Sequence, residues 1–480
     1  MKEIESRFKQ QVEKTASLLV MALIIFSCTP KMNPDIQRGS DYNYKPGYPQ
    51  VRFSSVGSLN ENNKASINIA ADIVYGSLIY KEDDGKQKAD ISIDIRAVSQ
   101  DEENASTESK HYDLDIEKND PDIVHSQDSF IFKKQLEVSP GNYKVYFTIT
   151  DNQSEKKITL TDKAYIPNPE NNVINLTDVR MFGKDMDDDE PHWYPITTYS
   201  VQGHTDSLKF IFQVTNNNAE EPLAINTELI KFKSDQSVAR PMYYADYSPS
   251  SIEYKGINFD KKTVIAESQR RLIQEGSVFI ELKFDSLPRG NYRFQITSAK
   301  GGGELYKARD FGVKYKYYPA IQTSRAMARP LIYLMDEGEY EEMMKISDPK
   351  KLKQAVDRFW LKHLGNEATA KQVIKKYYKR VVEANKQFSN FKAGWKTDAG
   401  MIYILFGPPW YVEKHLNKMI WSFAYNRSDF EYNYFFFQPK MKNAYYPFEH
   451  WILERNPDYF NVVYRQRQLW LSGLILQRNV

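Results

Sequence analysis

The chain has 480 residues and one cysteine. A single thiol excludes an intramolecular disulfide framework and any zinc site built on several thiolates. Net charge is nearly absent as well, at +2, which argues against a globally basic nucleic-acid binder or an acidic tail protein. Histidine is scarce: the seven (His111, His125, His192, His204, His363, His415, His450) show no HxH or HExxH spacing. No Gly-x-Ser-x-Gly elbow occurs either, so the usual signatures of metal and serine hydrolases are missing. The one long apolar run near the N-terminus, residues 18–27, is too short to span a bilayer. Aromatics, in contrast, are plentiful at 14%, which argues against a disordered chain.

The lone Cys28 ends that apolar run, in Ile25-Phe26-Ser27-Cys28. Lys2, Arg7, Lys9 and Lys14 precede it, partly offset by Glu3, Glu5 and Glu13. A charged segment, a short apolar core and a small residue before the cut read as a secretory signal over residues 1–27. The tetrad resembles a bacterial lipobox. That resemblance implies cleavage before Cys28 and acylation of its thiol and new amine. With each buried CH₂ contributing about 0.8 kcal/mol, three chains would anchor the protein durably. Residues 28–48 then read as a tether. It carries no acidic cluster just after the cysteine, so the expected address is the outer membrane, facing the periplasm.

Period-two alternation dominates residues 49–168. Ile91, Ile93 and Ile95 alternate with Ser92, Asp94 and Arg96, and Asp84-Gly85 marks a hairpin. Residues 100–110 hold no apolar side chain larger than alanine and read as a mobile loop. A linker is expected near residues 167–172. A second β region, 169–318, has strands near 208–214, 229–232, 278–284 and 292–297. The two regions echo one another: Gly141-Asn142-Tyr143 recurs 149 residues later as Gly290-Asn291-Tyr292. A tyrosine opening a strand after a tight turn suits a sandwich corner, its hydroxyl bonded to backbone. The fold expected is therefore multidomain, mostly β and then α+β. Two tandem immunoglobulin-like β-sandwiches precede a C-terminal α+β domain, 319–480.

After Pro319 the period becomes 3.6. Asp348 and Pro349 open one helix, with Leu352, Ala355, Val356, Phe359 and Leu364 on one face. A second covers about 370–388, with Val373, Tyr377, Val381, Ala384 and Phe388 on its stripe. Residues 344–392 carry 13 Lys/Arg and 4 Asp/Glu, which reads as solvated basic faces rather than a binding surface.

The densest segment is Gly394-Trp395-Lys396-Thr397-Asp398-Ala399-Gly400-Met401-Ile402-Tyr403-Ile404-Leu405-Phe406-Gly407-Pro408-Pro409. Thr397 and Asp398 suit a turn and Gly400 permits positive φ. Residues 401–406, apolar on both faces, read as a central strand that Gly407-Pro408-Pro409 stops. The segment resembles the signature of the GWxTD domain family. The likeness extends upstream through Phe359, Trp360, Tyr378, Arg380, Val381, Ala384, Asn385 and Phe388, and downstream through the aromatic run 421–437. Some 150 residues are covered, roughly, as in a C-terminal domain of the usual size. Ala399 and Trp410 depart from the family pattern, which has an Arg and an acidic residue there. The resemblance implies an exported, often lipidated envelope protein of Gram-negative bacteria, and no particular reaction.

Other chemistry is weaker. Trp395 interrupts any phosphate-loop Gly-Lys pair. Asp185 opens an acidic run, 185–190, that lacks the Gly and Glu of a calcium loop, so it reads as a solvated loop. Asp398 is the best single candidate for a base or ligand, beside Thr397 and Trp395. Its plainer role is capping a turn, with Trp395 a core anchor. Residues 403–470 hold 21 aromatics. Phe435, Phe436 and Phe437 cannot all face inward from one strand, so an exposed aromatic patch is expected there. No catalytic residue, metal or cofactor is assigned. Two functions follow. One is a non-enzymatic, lipid-anchored scaffold with a protein partner in the envelope and no nucleic acid. The alternative is an envelope enzyme or glycan binder with a cleft around Arg380, Asn385, Gly394, Trp395, Thr397, Asp398, Gly400, Tyr403, Gly407, Pro408 and Pro409.

Overall fold

The computed structural model describes residues 36–37, 47–60, 64–101, 106–126, 128–168, 170, 174–185, 192–201, 203–217, 222–242, 256–300, 303–424, 432–438 and 450–477. Cys28, the signal segment, most of the tether and acidic residues 186–190 lie outside them, as does half of the 167–172 linker.

The first β region follows its alternation. A short strand β1 (Ile36–Gln37), within the stretch expected as a tether, pairs with the second β region; the strands of the first are β2 (Val51–Leu59), β3 (Ala65–Val74), β4 (Lys81–Asp83), β5 (Lys86–Ser99), β6 (Thr107–Lys118), β7 (Ser129–Glu137), β8 (Gly141–Asp151) and β9 (Lys156–Ile166). β2, β3 and β7 form one sheet; β4, β5, β8 and β9, with β6 on β5, form another. Inward residues of both sheets share one core: Phe53, Ile69, Ile93 and Phe147 are all buried in it. Asp84 (φ 48°) and Gly85 (φ 74°) make the tight turn between β4 and β5. The loop expected over 100–110 is shorter than that, because Thr107 already opens β6. There Lys110 and His111 pair with Ile95 and Asp94 of β5. An edge strand needs no large apolar residue when one face meets water.

The second β region contains β10 (Ile174–Leu176), β11 (Arg180–Asp185), β12 (Trp193–Pro195), β13 (Ser200–Val201), β14 (Thr205–Asn216), β15 (Leu223–Ser234), β16 (Ile257–Leu272), β17 (Gly276–Asp285), β18 (Gly290–Lys300) and β19 (Gly303–Val313). One sheet runs β1-β19-β18-β15-β16 with β13 on β19, and the other runs β10-β14-β11-β12 with β17 on β14. Phe210, Phe212, Phe294 and Phe311 fill the core between them. The two echoed tyrosines differ. Tyr292 donates its hydroxyl to the Pro288 carbonyl, as a corner tyrosine does. Tyr143 instead lies 3.4 Å from Ser106 Oγ, a side-chain partner.

Helices follow: α1 (Ser324–Ala328), α2 (Glu337–Lys345), α3 (Pro349–Leu364), α4 (Glu367–Phe388), α5 (Asp398–Phe406) and α6 (Tyr459–Leu471), with a small sheet β20 (Tyr411–Lys414), β21 (Lys418–Ser422), β22 (Asn433–Phe437) and β23 (Ile452–Leu453). Asp348 caps α3 by accepting Lys351 N–H at 2.7 Å, and Gly365 ends it at φ 70°. The apolar stripes of α3 and α4 are buried in one aromatic-rich core, which Trp360, Tyr377 and Trp470 share. Most basic side chains of 344–392 are exposed, but Arg380 and Lys392 are buried. No helix among the described residues is long and apolar enough to cross a membrane. The fold as a whole is mostly β sheet with a C-terminal helical region.

Candidate functional site

The expected strand over 401–406 is a helix, α5. Thr397 begins it: its Oγ1 accepts Gly400 N–H at 3.0 Å and donates to the Gly394 carbonyl at 2.7 Å. Asp398 supplies an acidic residue to the first turn. A helix that is apolar all round must be buried all round, and every residue of α5 is. An apolar run of six cannot by itself tell a buried helix from a buried strand.

Gly400 is needed for close approach, not for positive φ. A Cβ there would stand 2.0 Å from the Gly394 carbonyl oxygen, and one on Gly394 would stand 2.0 Å from that of Ala384 in α4. The short helix therefore seats directly on its own entry turn, and that turn on α4. Gly407, at φ 87°, ends α5, and a Cβ on it would meet the Arg380 guanidinium at 2.5 Å. Pro408 is exposed and Pro409 half-buried beyond it.

The polar residues of the motif are spent inside the protein. Asp398 is buried; its Oδ1 accepts from Arg455 at 2.6 Å and its Oδ2 from Leu453 N–H at 3.0 Å. Arg455 also donates to the Arg240 carbonyl at 3.0 Å. The Trp395 ring packs edge-on against Tyr333. The Trp395 backbone N–H donates to Asn385 Oδ1 at 3.2 Å and its carbonyl accepts Tyr333 OH at 2.7 Å. Asn385, fully buried, donates to Pro319 O at 3.1 Å and Tyr315 OH at 3.2 Å. Tyr403 donates to Glu383 at 2.9 Å, and burial raises its pKa above the ordinary value.

The far end of α5 is closed in the same way. Arg380 donates to the Ile404 and Leu405 carbonyls at 3.3 and 3.1 Å while lying over the Trp470 ring. Burial pulls its pKa down to about 10. Gln466 and Trp470 add bonds to Leu405 O at 2.7 and 2.9 Å. These are the last carbonyls of a helix, which need outside donors when buried.

The motif also reaches the second β region. Lys396 donates to Gln236 O at 2.9 Å, and its own carbonyl accepts Ala239 N–H at 2.9 Å. Burial, reinforced by Arg289 and Arg329, lowers the Lys396 pKa to about 8. Asn291, from the echoed Gly-Asn-Tyr turn, donates to Phe391 O at 3.0 Å. Lys314 donates to Asn390 O at 2.5 Å, and burial pulls its pKa to about 7. His450 contacts Asn390 Nδ2 through Nδ1 at 2.7 Å, and burial brings its pKa to about 4, so it is neutral.

The structure thus gathers Arg380, Asn385, Gly394, Trp395, Thr397, Asp398, Gly400, Tyr403 and Gly407 around one buried helix. Pro408 and Pro409 lie at its exit. Residues 390–407 are all buried, so Asp398 is a structural anchor and not the wall of an open cleft. Its partner Arg455 escaped sequence reasoning, since a lone arginine in Glu454-Arg455-Asn456 carries no pattern. Among the described residues no three His, Cys, Asp or Glu side chains are grouped so as to hold a metal ion.

Exposed apolar residues lie elsewhere. Among the described residues β20 is an edge strand of its sheet; Trp410, Tyr411 and Val412 are each about half exposed there, and Leu416 at the hairpin tip is 94% exposed. In β22, Phe436 is buried, Phe435 half-buried and Phe437 exposed, an alternation the strand geometry demands. The exposed aromatic patch expected at Phe435, Phe436 and Phe437 is therefore mainly Phe437, and the larger one is on β20. Trp410 was noted only as a departure from the family pattern.

The GWxTD domain family matches residues 292–472, from Tyr292 in β18 to the end of α6. No curated protein matches the chain. Solved structures with some likeness include red sea bream transglutaminase, at 10% identity over 55% of this chain and 31% of that one, TM-score 0.17. Another is Escherichia coli alpha-2-macroglobulin activated by porcine elastase, at 9% identity over 76% of this chain and 36% of that one, TM-score 0.18. A third is the Streptococcus agalactiae AgI/II polypeptide BspA C-terminal domain, at 10% identity over 54% of this chain and 99% of that one, TM-score 0.15. The chain spans about a third of the length of the first two. Likeness at these scores carries no argument about fold or function.

Proposed function

Since this chain is a GWxTD domain-containing protein, we propose that it works as a lipid-anchored scaffold of the bacterial envelope and has no catalytic role of its own. In this reading Cys28 carries the lipid at the outer membrane, on its periplasmic face. The two β regions are tandem immunoglobulin-like sandwiches that space the C-terminal domain from the bilayer. The C-terminal domain docks a protein partner. What supports the sandwich reading is that each region has two sheets over one core and that Tyr292 makes the corner bond.

The observation that carries the scaffold reading is the contrast between motif and edge. The motif spends its acid, amide, hydroxyl and guanidinium groups on interior bonds, which leaves no accessible general base there. The edge strand β20 offers Trp410, Tyr411 and Val412 to solvent beside the 94% exposed Leu416. Aromatics of this kind anchor protein interfaces, and an exposed edge strand can pair with another chain.

The test is crosslinking in intact cells followed by purification of the lipidated protein. A stoichiometric protein partner is expected, and Trp410→Ser with Tyr411→Ser should cut its recovery about tenfold, the loss of one interface hot spot. Recovery of an uncrosslinked monomer from wild type would sink the scaffold reading. Unchanged recovery from the double variant would remove β20 as its docking edge.

A further inference from the structure

Between the two β regions lies a cavity of about 300 Å³, lined by β2, β3 and β7 on one side and by β11 with residues 195–196 on the other. Val56, Met181 and Ile196 give it apolar walls. Four cations, Lys133, Lys134, Arg180 and Arg309, line it as well, and none of its lining residues is an aspartate or glutamate. A cavity that is apolar but cationic at its polar points suits an anion with an apolar body.

The cations are not equivalent. Arg309 is 1% exposed, donates to the Ile196 and Thr198 carbonyls at 3.2 and 3.3 Å, and is attracted by Asp162, Asp178 and Asp310. Its Nε is buried without a hydrogen-bond partner among the described residues. Lys133 reaches Trp193 O at 3.5 Å and is attracted by Asp72. Lys134 lies over the Tyr112 ring. Arg180 stands apart: it is half-buried, its side chain has no hydrogen bond or ion pair among the described residues, and the rings of Phe182 and Phe279 approach its guanidinium, at 6.0 and 5.7 Å. Burial alone lowers its pKa, with no anion opposing the fall.

Proteins rarely withdraw a guanidinium from water without an anion to answer it. Elsewhere in this chain Arg293 holds Asp310 at 2.8 Å, Arg455 holds Asp398 at 2.6 Å and Arg467 holds Asp336 at 2.8 Å, while Arg380 is answered by the Ile404 and Leu405 carbonyls. We propose that the cavity binds a carboxylate amphiphile of the fatty-acid kind, its head group forked on the Arg180 guanidinium and its chain along Val56, Met181 and Ile196. A planar guanidinium fork matches a carboxylate in a bidentate pair. At about 30 Å³ for a water-sized group, the cavity takes about ten such groups, so decanoate is the probe of choice.

The experiment is calorimetric titration of the full chain with decanoate and, separately, with decanol. Saturable one-to-one binding of decanoate is expected, with decanol about tenfold weaker or more, the worth of a charge-assisted pair. Arg180→Gln should weaken decanoate about tenfold while leaving the ligand-free melting temperature unchanged. Ala70→Leu, which fills the cavity from β3, should abolish binding and keeps the test decisive if Arg180→Gln does not fold. Absence of saturable binding, binding of many molecules per chain, equal affinity for decanol, or undiminished binding by Ala70→Leu would each overturn the proposal.

Discussion

Asp398 shows how a motif residue keeps two roles open, base or ligand and turn cap, when its neighbours are known only by sequence. Beside Thr397 and Trp395 it looks like a base. In space both oxygens are taken, by Arg455 and by Leu453 N–H. Asp398→Asn would set an amide N–H₂ against a donor and leave the Arg455 guanidinium buried without its carboxylate. Removing one partner of a buried pair costs about 3 kcal/mol or more. We therefore expect a fall of that order in urea-denaturation stability, with partner recovery falling in step. A variant as stable as wild type yet inactive would instead restore Asp398 to a chemical role. The paired glycines tell the same story from the backbone side: Gly394 and Gly400 are there because a Cβ at either would strike a carbonyl oxygen at 2.0 Å.

At the scale of elements, α5 is the piece that sequence periodicity missed. Its Thr397 cap and its Gly407 end were both visible as residues. The uniform apolar run between them, however, fits a central strand as well as a buried helix. What decides is the surroundings, namely donors from Arg380, Gln466 and Trp470 for the last carbonyls and α4 beneath Gly394. Thr397→Ala removes the acceptor for Gly400 N–H. It should lower stability by about 1–2 kcal/mol, read as a drop in the denaturation midpoint, with Thr397→Ser restoring most of it. In contrast, α3 and α4 were legible almost residue by residue, since an amphipathic face repeats a pattern that burial then obeys. β6 was hidden for the opposite reason: an edge strand facing water on one side needs few large apolar residues to pair.

At the scale of the whole molecule, residues 35–439 and 448–480 form one compact unit, held by buried polar links between regions. Gln213 bonds both the N–H and the carbonyl of Leu59, at 2.8 and 3.0 Å. Asp162 of β9 holds Ser55 of β2, accepting its N–H at 2.7 Å, and burial lifts its pKa from 3.8 to about 6. The sign follows from linkage. The folded pKa lies above the unfolded one, so Asp162's contribution is fully present below pH 3.8 and is lost as pH rises through about 6. The stability of wild type relative to Asp162→Ser should therefore decline as pH rises from about 4 to about 6.5, measured by denaturation at stepped pH. A flat difference would show that the Asp162 carboxyl titrates alike in both states.

By itself, the sequence determined the alternation that makes both β regions, the amphipathic faces of α3 and α4, and the motif that carries the family likeness. Those are periodic or contiguous signals, and local sterics and burial act on them directly. Only the tertiary structure decided that α5 is a helix and that Asp398 belongs to Arg455. It alone revealed Arg180 in a cavity without an anion and put the main exposed aromatics on β20. Each of these depends on which distant residue supplies a donor, a charge or a covering surface, and that partner is chosen by packing across tens to hundreds of residues, where no spacing rule reaches.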